Sequence, residues 1–198
     1  MSLRVLTPSA SPRTMPLPEE LVGRLLPIRM IVFDIDGVMT DGRLIYTGDG
    51  VEVKEFHVHD GLGLALAGDA RLRIAFITGR QSTLVERRAK ELQVGDVFLN
   101  CSDKLTAMKQ LAEKYGLGPE EMLFMGDDLI DLPPMRWVGC AVAPANAVDD
   151  AKQCAHWVTG ASGGNGAVRE VVDALLIAQG TYDVAVERYL ERQGGAKQ

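Results

Sequence analysis

Ile31-Val32-Phe33-Asp34-Ile35-Asp36-Gly37-Val38-Met39-Thr40 joins an apolar run to two carboxylates and a glycine, and the rest of the chain is organised around it. Its apolar, largely β-branched beginning reads as a buried strand, running from about Arg29 to Ile35 and ending in two carboxylates. Side chains alternate along a strand, so Asp34 and Asp36 are expected on one side, one pleat apart. Two like charges at a buried strand end are unfavourable without compensation, and a divalent cation compensates them most simply. Gly37 lets the chain turn out of the strand without steric cost. An ordinary strand followed by an acidic turn would use the same residue types, so the rest of the chain has to decide.

Downstream, strand-like and helix-like segments alternate. Gly42 to Phe56 contains two alternating segments around Gly48-Asp49-Gly50, a hairpin signal placed where it could form a flap over the carboxylates or merely extend the sheet. A helix opened by Asp60 is expected from His59 to Ala70, and a strand from Leu72 to Thr78 ending in Thr78-Gly79-Arg80. A helix over Ser82–Leu92 and a strand over Val94–Leu99 follow. Ser102 is a plausible N-cap for a helix through Tyr115 that Gly116 closes. Further strands are expected at Glu121–Met125, Gly139–Ala143 and Trp157–Thr159. Helices are expected near Met135, at Val148–Cys154 and at Ala167–Ala178. This alternation predicts an α/β fold, a Rossmann-like doubly wound parallel sheet with a β-hairpin flap and no cap domain. Ligands of such sheets bind at the carboxyl ends of strands, near the point where strand order reverses. Asp34, Asp36, Thr78, Asp127 and Asp131 all fall at those ends.

Composition narrows the function. Of 198 residues, 21 are Lys or Arg and 27 Asp or Glu, a net charge of −6 that disfavours nucleic acid as a partner. Cys101, Cys140 and Cys154 are odd in number and widely spaced, which suits a reducing cytoplasm better than a disulfide framework. No apolar run is long enough to span a membrane, and the N-terminus lacks the apolar core of a secretory signal. Residues 1–27 read as a flexible leader with a possible short helix over Glu19–Leu26. Residues 28–180 read as the catalytic domain, and 181–198 as a C-terminal tail that begins helical and then frays.

Taken together, Asp34-Ile35-Asp36-Gly37-Val38-Met39-Thr40, Thr78, Lys104 and Gly126-Asp127-Asp128-Leu129-Ile130-Asp131 resemble the four motifs of the haloacid dehalogenase-like hydrolases. Within them, Ile-Thr-Gly-Arg at 77–80, Gly-Asp-Asp-Leu-Ile-Asp-Leu-Pro at 126–133 and Gly-Gly-Asn-Gly-Ala-Val-Arg-Glu at 163–170 are similar to the 3-deoxy-D-manno-octulosonate 8-phosphate phosphatases. The likeness runs from about Ile28 to Gly180.

The resemblance implies that Asp34 is a nucleophile forming an aspartyl-phosphate, and that Asp36 is the acid and base. It also implies that Thr78 and Lys104 stabilise the transferred phosphoryl group. Mg²⁺ would be held by Asp34, the Asp36 backbone carbonyl and Asp127, with Asp131 supporting Lys104 or a metal-bound water. An acid two residues after the nucleophile favours a phosphatase over a dehalogenase, an ATPase or a phosphomutase. Substrate contacts carry over to His57, His59, Asp60, Gly61, Gly79, Arg80, Arg88 and Lys104.

The implied partner is a small-molecule phosphorylated sugar acid, with no nucleic acid and no membrane, in a homotetramer whose hairpins and C-terminal segments complete the pockets. His59 and Ala65 stand where the resembled family usually has arginine. That leaves open the octulosonate, a nine-carbon sugar acid phosphate, or a broader sugar-phosphate specificity. A non-catalytic phosphosugar-binding scaffold is the alternative from another class.

Overall fold

β1 (Met30–Phe33) is buried at all four positions, because helices cover both of its faces. Ile31 and Phe33 face one apolar layer; Met30 and Val32 face the other. The computed structural model describes residues 15–195; residues 1–14, which hold most of the expected leader, and 196–198 lie outside the described residues.

The chain begins with α1 (Glu19–Leu25), whose Leu21 and Leu25 are buried, and passes into β1. A hairpin of β2 (Ile45–Tyr46) and β3 (Glu52–Val53) precedes α2 (Val58–Asp69) and β4 (Arg73–Ile77). Next come α3 (Thr83–Glu91), β5 (Asp96–Phe98), α4 (Lys104–Tyr115) and β6 (Met122–Met125). The second half adds α5 (Leu132–Trp137), β7 (Cys140–Ala143), α6 (Asp149–Cys154) and β8 (Trp157–Val158), then α7 (Ala167–Ala178) and α8 (Tyr182–Gly195).

Six strands form one parallel sheet in the order β5-β4-β1-β6-β7-β8. Phe33 lies in register with Phe76 on one side and Met125 on the other. Residues of α1, α2, α3, α7 and α8 pack one face. The other face is covered by α4, α5 and α6. The chain leaves β1 toward β4 and β5, then returns across it to β6. The carboxyl ends of β1 and β6 therefore flank the switch point where such sheets open a crevice.

The expected doubly wound sheet is present, with local differences. β1 ends at Phe33, so Asp36 lies in the following turn and is not on the strand's pleat with Asp34. The hairpin forms its own two-stranded sheet and does not extend the main one. Its strands are short because Thr47 N bonds the Val51 carbonyl and Gly50 N the Thr47 carbonyl, closing the turn immediately. Asp103, not Ser102, caps α4, its carboxylate accepting from Thr106 N at 3.0 Å. The segment after Gly180 does not fray early: α8 continues to Gly195 and buries Tyr182 and Ala185 against the α2 and α7 face. That apolar contact outweighs the weak helix preference of its polar end.

Candidate active site

The first residue beyond β1 is Asp34, with a side chain 6% exposed. Lys104, at the first position of α4, reaches it with Nζ 2.8 Å from Asp34 Oδ1 and 2.6 Å from Asp131 Oδ1. The other Asp131 oxygen accepts from the backbone N–H of Asp127 at 2.9 Å and of Asp128 at 3.2 Å. Asp131 thus ties the β6 loop to the lysine with both oxygens. Asp128 accepts from Leu129 N at 2.7 Å and serves the turn itself.

One cation shared between two buried carboxylates cannot neutralise both. Burial, reinforced by Asp131, pushes the Asp34 carboxyl up to about 7 despite Lys104. Burial and then the negative charges of Asp34 and Asp131 push Asp127 up to about 8. For Lys104 burial works downward, but the attraction of Asp34 and Asp131 prevails and keeps the ammonium charged.

The missing positive charge fits a divalent cation. Asp34, Asp127 and Asp131 each offer an oxygen within 4.8 Å of the others. Asp127 Oδ1 is buried and has no hydrogen-bond partner among the described residues. The all-oxygen donor set suits Mg²⁺. Gly37 guards this space: its φ is +96°, and a Cβ there would collide with the Asp127 carboxylate. The cluster includes Asp131 and omits the Asp36 side chain, which turns to the flap instead. Asp131's oxygens are already occupied by donors, which fits support better than direct ligation.

Thr78 follows β4, is 1% exposed, and receives Arg80 N on Oγ1 at 3.2 Å. With Gly79 and Arg80 it lines an open cleft of about 260 Å³ shared with Asp34, Asp36, Gly42, Leu44, Asp127, Asp128 and Ile130. Arg80 donates to the Tyr46 hydroxyl and to Glu52 Oε1, both at 3.0 Å, and its Nε lies 3.8 Å from Asp36 Oδ2.

Lys54 is a residue that sequence reasoning missed. Its side chain, 2% exposed, descends from the flap to pair with Asp36 and lies 3.5 Å from Glu52. The signal was available: Lys54 follows a hairpin strand aimed at two carboxylates, yet alternation alone reads it as a solvated flank.

The remaining expected contacts divide. His57 is half-buried, with Nδ1 unpartnered and 3.9 Å from Asp60; its ring meets that of exposed His59 edge-on at 5.0 Å between centroids. Asp60 neither caps α2 nor faces the cleft. It is 0% exposed and accepts from Gly166 N at 3.2 Å and Arg169 N at 2.8 Å, capping α7 from across the interface. Such a buried carboxylate must be satisfied internally, which removes it as a substrate contact. Gly61 leaves room for Arg88, whose guanidinium a Cβ would strike. Arg88 pairs with Glu91 at 3.3 Å, lies over Phe56, and lines a neighbouring cavity with Lys54. Ala65 lines a different cavity, with Arg71 and Gly95, by the amino ends of β4 and β5, so its missing arginine concerns no contact in this subunit's cleft.

Comparison with known proteins agrees with this geometry. A family model described as haloacid dehalogenase-like hydrolase matches residues 91–171. The 3-deoxy-D-manno-octulosonate 8-phosphate phosphatase of Escherichia coli strain K12 is 43% identical over 171 residues, 86% of this chain and 90% of the relative. The enzyme of that name from Moraxella catarrhalis, solved with magnesium ion, phosphate ion and KDO, superposes with a TM-score of 0.83 at 37% identity, covering 86% of this chain and 98% of that one. A cobalt-bound deoxy-D-mannose-octulosonate 8-phosphate phosphatase from Haemophilus influenzae gives 0.79 at 37% identity, covering 84% and 99%. The carboxylate cluster at the switch point and these likenesses lead to one family: the chain belongs to the haloacid dehalogenase-like hydrolases, in the branch of the 3-deoxy-D-manno-octulosonate 8-phosphate phosphatases.

Proposed function

We propose that this protein is a Mg²⁺-dependent phosphatase that hydrolyses 3-deoxy-D-manno-octulosonate 8-phosphate to the free sugar acid and phosphate, in lipopolysaccharide precursor synthesis. The observation that carries the reading is Asp34, held by Lys104 beside Asp127 and Asp131, with a second acid two residues later. When bound, Mg²⁺ offsets the repulsion between phosphate and carboxylates and orients the phosphoryl group. Asp34, Asp127 and the Asp36 carbonyl are the residues that would hold it.

Asp34 attacks phosphorus; a P–O bond forms to its carboxylate as the bond to the sugar oxygen breaks. Asp36, in its protonated form, gives its proton to that departing oxygen. The resulting Asp36 carboxylate then takes a proton from water, which attacks the aspartyl-phosphate and releases phosphate, regenerating Asp34. Lys104 and the Thr78 hydroxyl stabilise charge developing on the phosphoryl oxygens. Lys54 is a positioning residue: from the flap it fixes which way the Asp36 carboxyl faces. Arg80, with Gly79, lines the substrate side of the cleft, and His57 and His59, outside its lining, contact the more distant part of the sugar acid in this proposal.

The catalytic unit spans residues 28–180, with α1 and α8 as outer support. No cap closes this cleft: a hairpin with two-residue strands stands between Asp41 and Asp60, and only α3 and β5 lie between Thr78 and Lys104. Leu44, Ile45, Tyr46, Val51 and Ile130 are exposed around its mouth, an apolar rim that suits burial by neighbouring subunits of a homotetramer. Among the described residues no helix is long and apolar enough to cross a membrane. The three free cysteines accord with a cytoplasmic location. A panel of phosphorylated eight- and nine-carbon sugar acids and neutral sugar phosphates tests the specificity. The octulosonate should give the highest kcat/KM; a neutral sugar phosphate turned over equally well would overturn the assignment.

A further inference from the structure

At the other end of the sheet, by the amino ends of β4 and β5, lies a cavity of about 560 Å³, larger than the active-site cleft. Its wall contains four arginines, Arg29, Arg71, Arg73 and Arg192. Each carboxylate in that wall already has a cation: Asp69 has Arg192 at 2.8 Å, Asp96 has Lys114, and Glu91 has Arg87 and Arg88. Arg29 is bound to Glu121 at 2.8 Å. Arg71 and Arg73 have no acidic partner among the described residues. Arg73 is nevertheless held in place, its guanidinium 4.1 Å above the Tyr115 ring, while the Tyr115 hydroxyl donates to Asp96 at 2.6 Å.

The backbone adds an independent observation. α2 and α3 both end in turns whose next residue takes a left-handed conformation, Arg71 at φ 67° and Gln93 at φ 56°. In each turn the following N–H returns to the helix, Leu72 to Ala67 and Val94 to Ala89. Glycine is the favoured residue at that position, and a β-carbon there is strained. Two long polar side chains thus occupy costly positions, and both border the same cavity. Strain kept at two converging residues points to a use for their side chains.

We propose that this cavity is a second anion-binding site, for a small metabolite bearing a phosphate or carboxylate. Arg71 and Arg73 bind the anion and Gln93 donates an amide hydrogen bond. A guanidinium fork matches either oxyanion, and the volume lies within the range of small-ligand sites. The site is remote from Asp34, so occupancy here and at the catalytic cleft can be separated.

Inorganic phosphate is the probe, titrated calorimetrically into full-length protein in EDTA, which removes any divalent cation that would hold phosphate at Asp34 and Asp127. Wild type should bind phosphate, Arg80→Ala, which removes a cation from the catalytic cleft, should retain that binding, and Arg71→Gly should weaken it at least tenfold. Because glycine relieves the left-handed strain, Arg71→Gly should melt no lower than wild type and keep its turnover with Mg²⁺. Arg73→Ala provides a second loss-of-binding variant. No phosphate binding to the wild type in EDTA, undiminished binding to Arg71→Gly, or binding abolished by Arg80→Ala would each overturn the proposal.

Discussion

Replacing Lys54 by methionine keeps most of its apolar stem and removes only the ammonium that meets Asp36. The lysine side chain is 2% exposed, while Asp36 and Glu52 are each 19% exposed, so the pair sits between a buried and a surface ion pair. A charge-assisted hydrogen bond contributes about 1.5–3 kcal/mol, and partial exposure places this one in the lower part of that range. If that energy fixes the acid at the leaving oxygen, its loss converts to roughly a 10- to 100-fold fall in kcat. We predict that fall for Lys54→Met on octulosonate 8-phosphate, with partial recovery in Lys54→Arg. A leaving group needing no proton, such as a nitrophenyl phosphate, should show a much smaller loss. Arg80 remains 3.8 Å from Asp36 and would preserve some orientation. Steady-state kinetics with both substrates provides the assay. Equal losses on the two substrates, or a kcat within twofold of wild type, would refute Lys54 as a positioning residue.

Three further outcomes follow from the packing and charge of the site. Asp60→Ala deprives the half-buried Gly166 N and Arg169 N of their acceptor and empties the site of a fully buried carboxylate, so calorimetry should find about 1–3 kcal/mol lost, a Tm drop of roughly 2–12 °C; an unchanged Tm would contradict the capping role. Gly37→Ala places a β-carbon against Asp127 at a φ of +96°, so the Mg²⁺ concentration needed for half-maximal thermal stabilisation should rise at least tenfold; an unchanged titration would dissociate Gly37 from the cation site. Asp34 and Asp127 hold protons in the metal-free folded state that the unfolded chain releases near pH 4, so stability present below that pH is lost as pH rises through about 7 and 8. In EDTA the Tm should therefore fall from pH 5 to pH 8.5, while the increment given by Mg²⁺ grows; a pH-independent increment would argue against carboxylate ligation.

Much of this architecture was legible because local pattern and global fold agree. The apolar run before Asp34, the hairpin glycines and the polar strand ends each marked an element, and α7 begins and ends where its periodicity indicated. Boundaries shifted where a tertiary partner decided them. Asp60 looked like a helix opener because it precedes an apolar segment, but its partners are more than 100 residues away at the start of α7. Lys54 carried only a weak signal, its place after a hairpin strand, since the folded flap is what brings it to Asp36. Ala65 resembles a lost substrate contact when aligned by motif; the direction of α2 carries it away from the cleft, to the cavity by the amino ends of β4 and β5. Asp34, Asp127 and Asp131 were readable because the strand-end rule gathers them whatever the loop details, whereas Lys104, at the start of α4, was legible only through the resemblance to the family's motifs.

The most direct test is phosphate release from 3-deoxy-D-manno-octulosonate 8-phosphate by wild type and Asp34→Asn, each with Mg²⁺ and with EDTA. A Mg²⁺-dependent attack by Asp34 requires turnover only for wild type with Mg²⁺ and leaves Asp34→Asn folded but inactive, because an amide of the same shape is a poor nucleophile. Turnover by Asp34→Asn, or by wild type in EDTA at the rate seen with Mg²⁺, would contradict it.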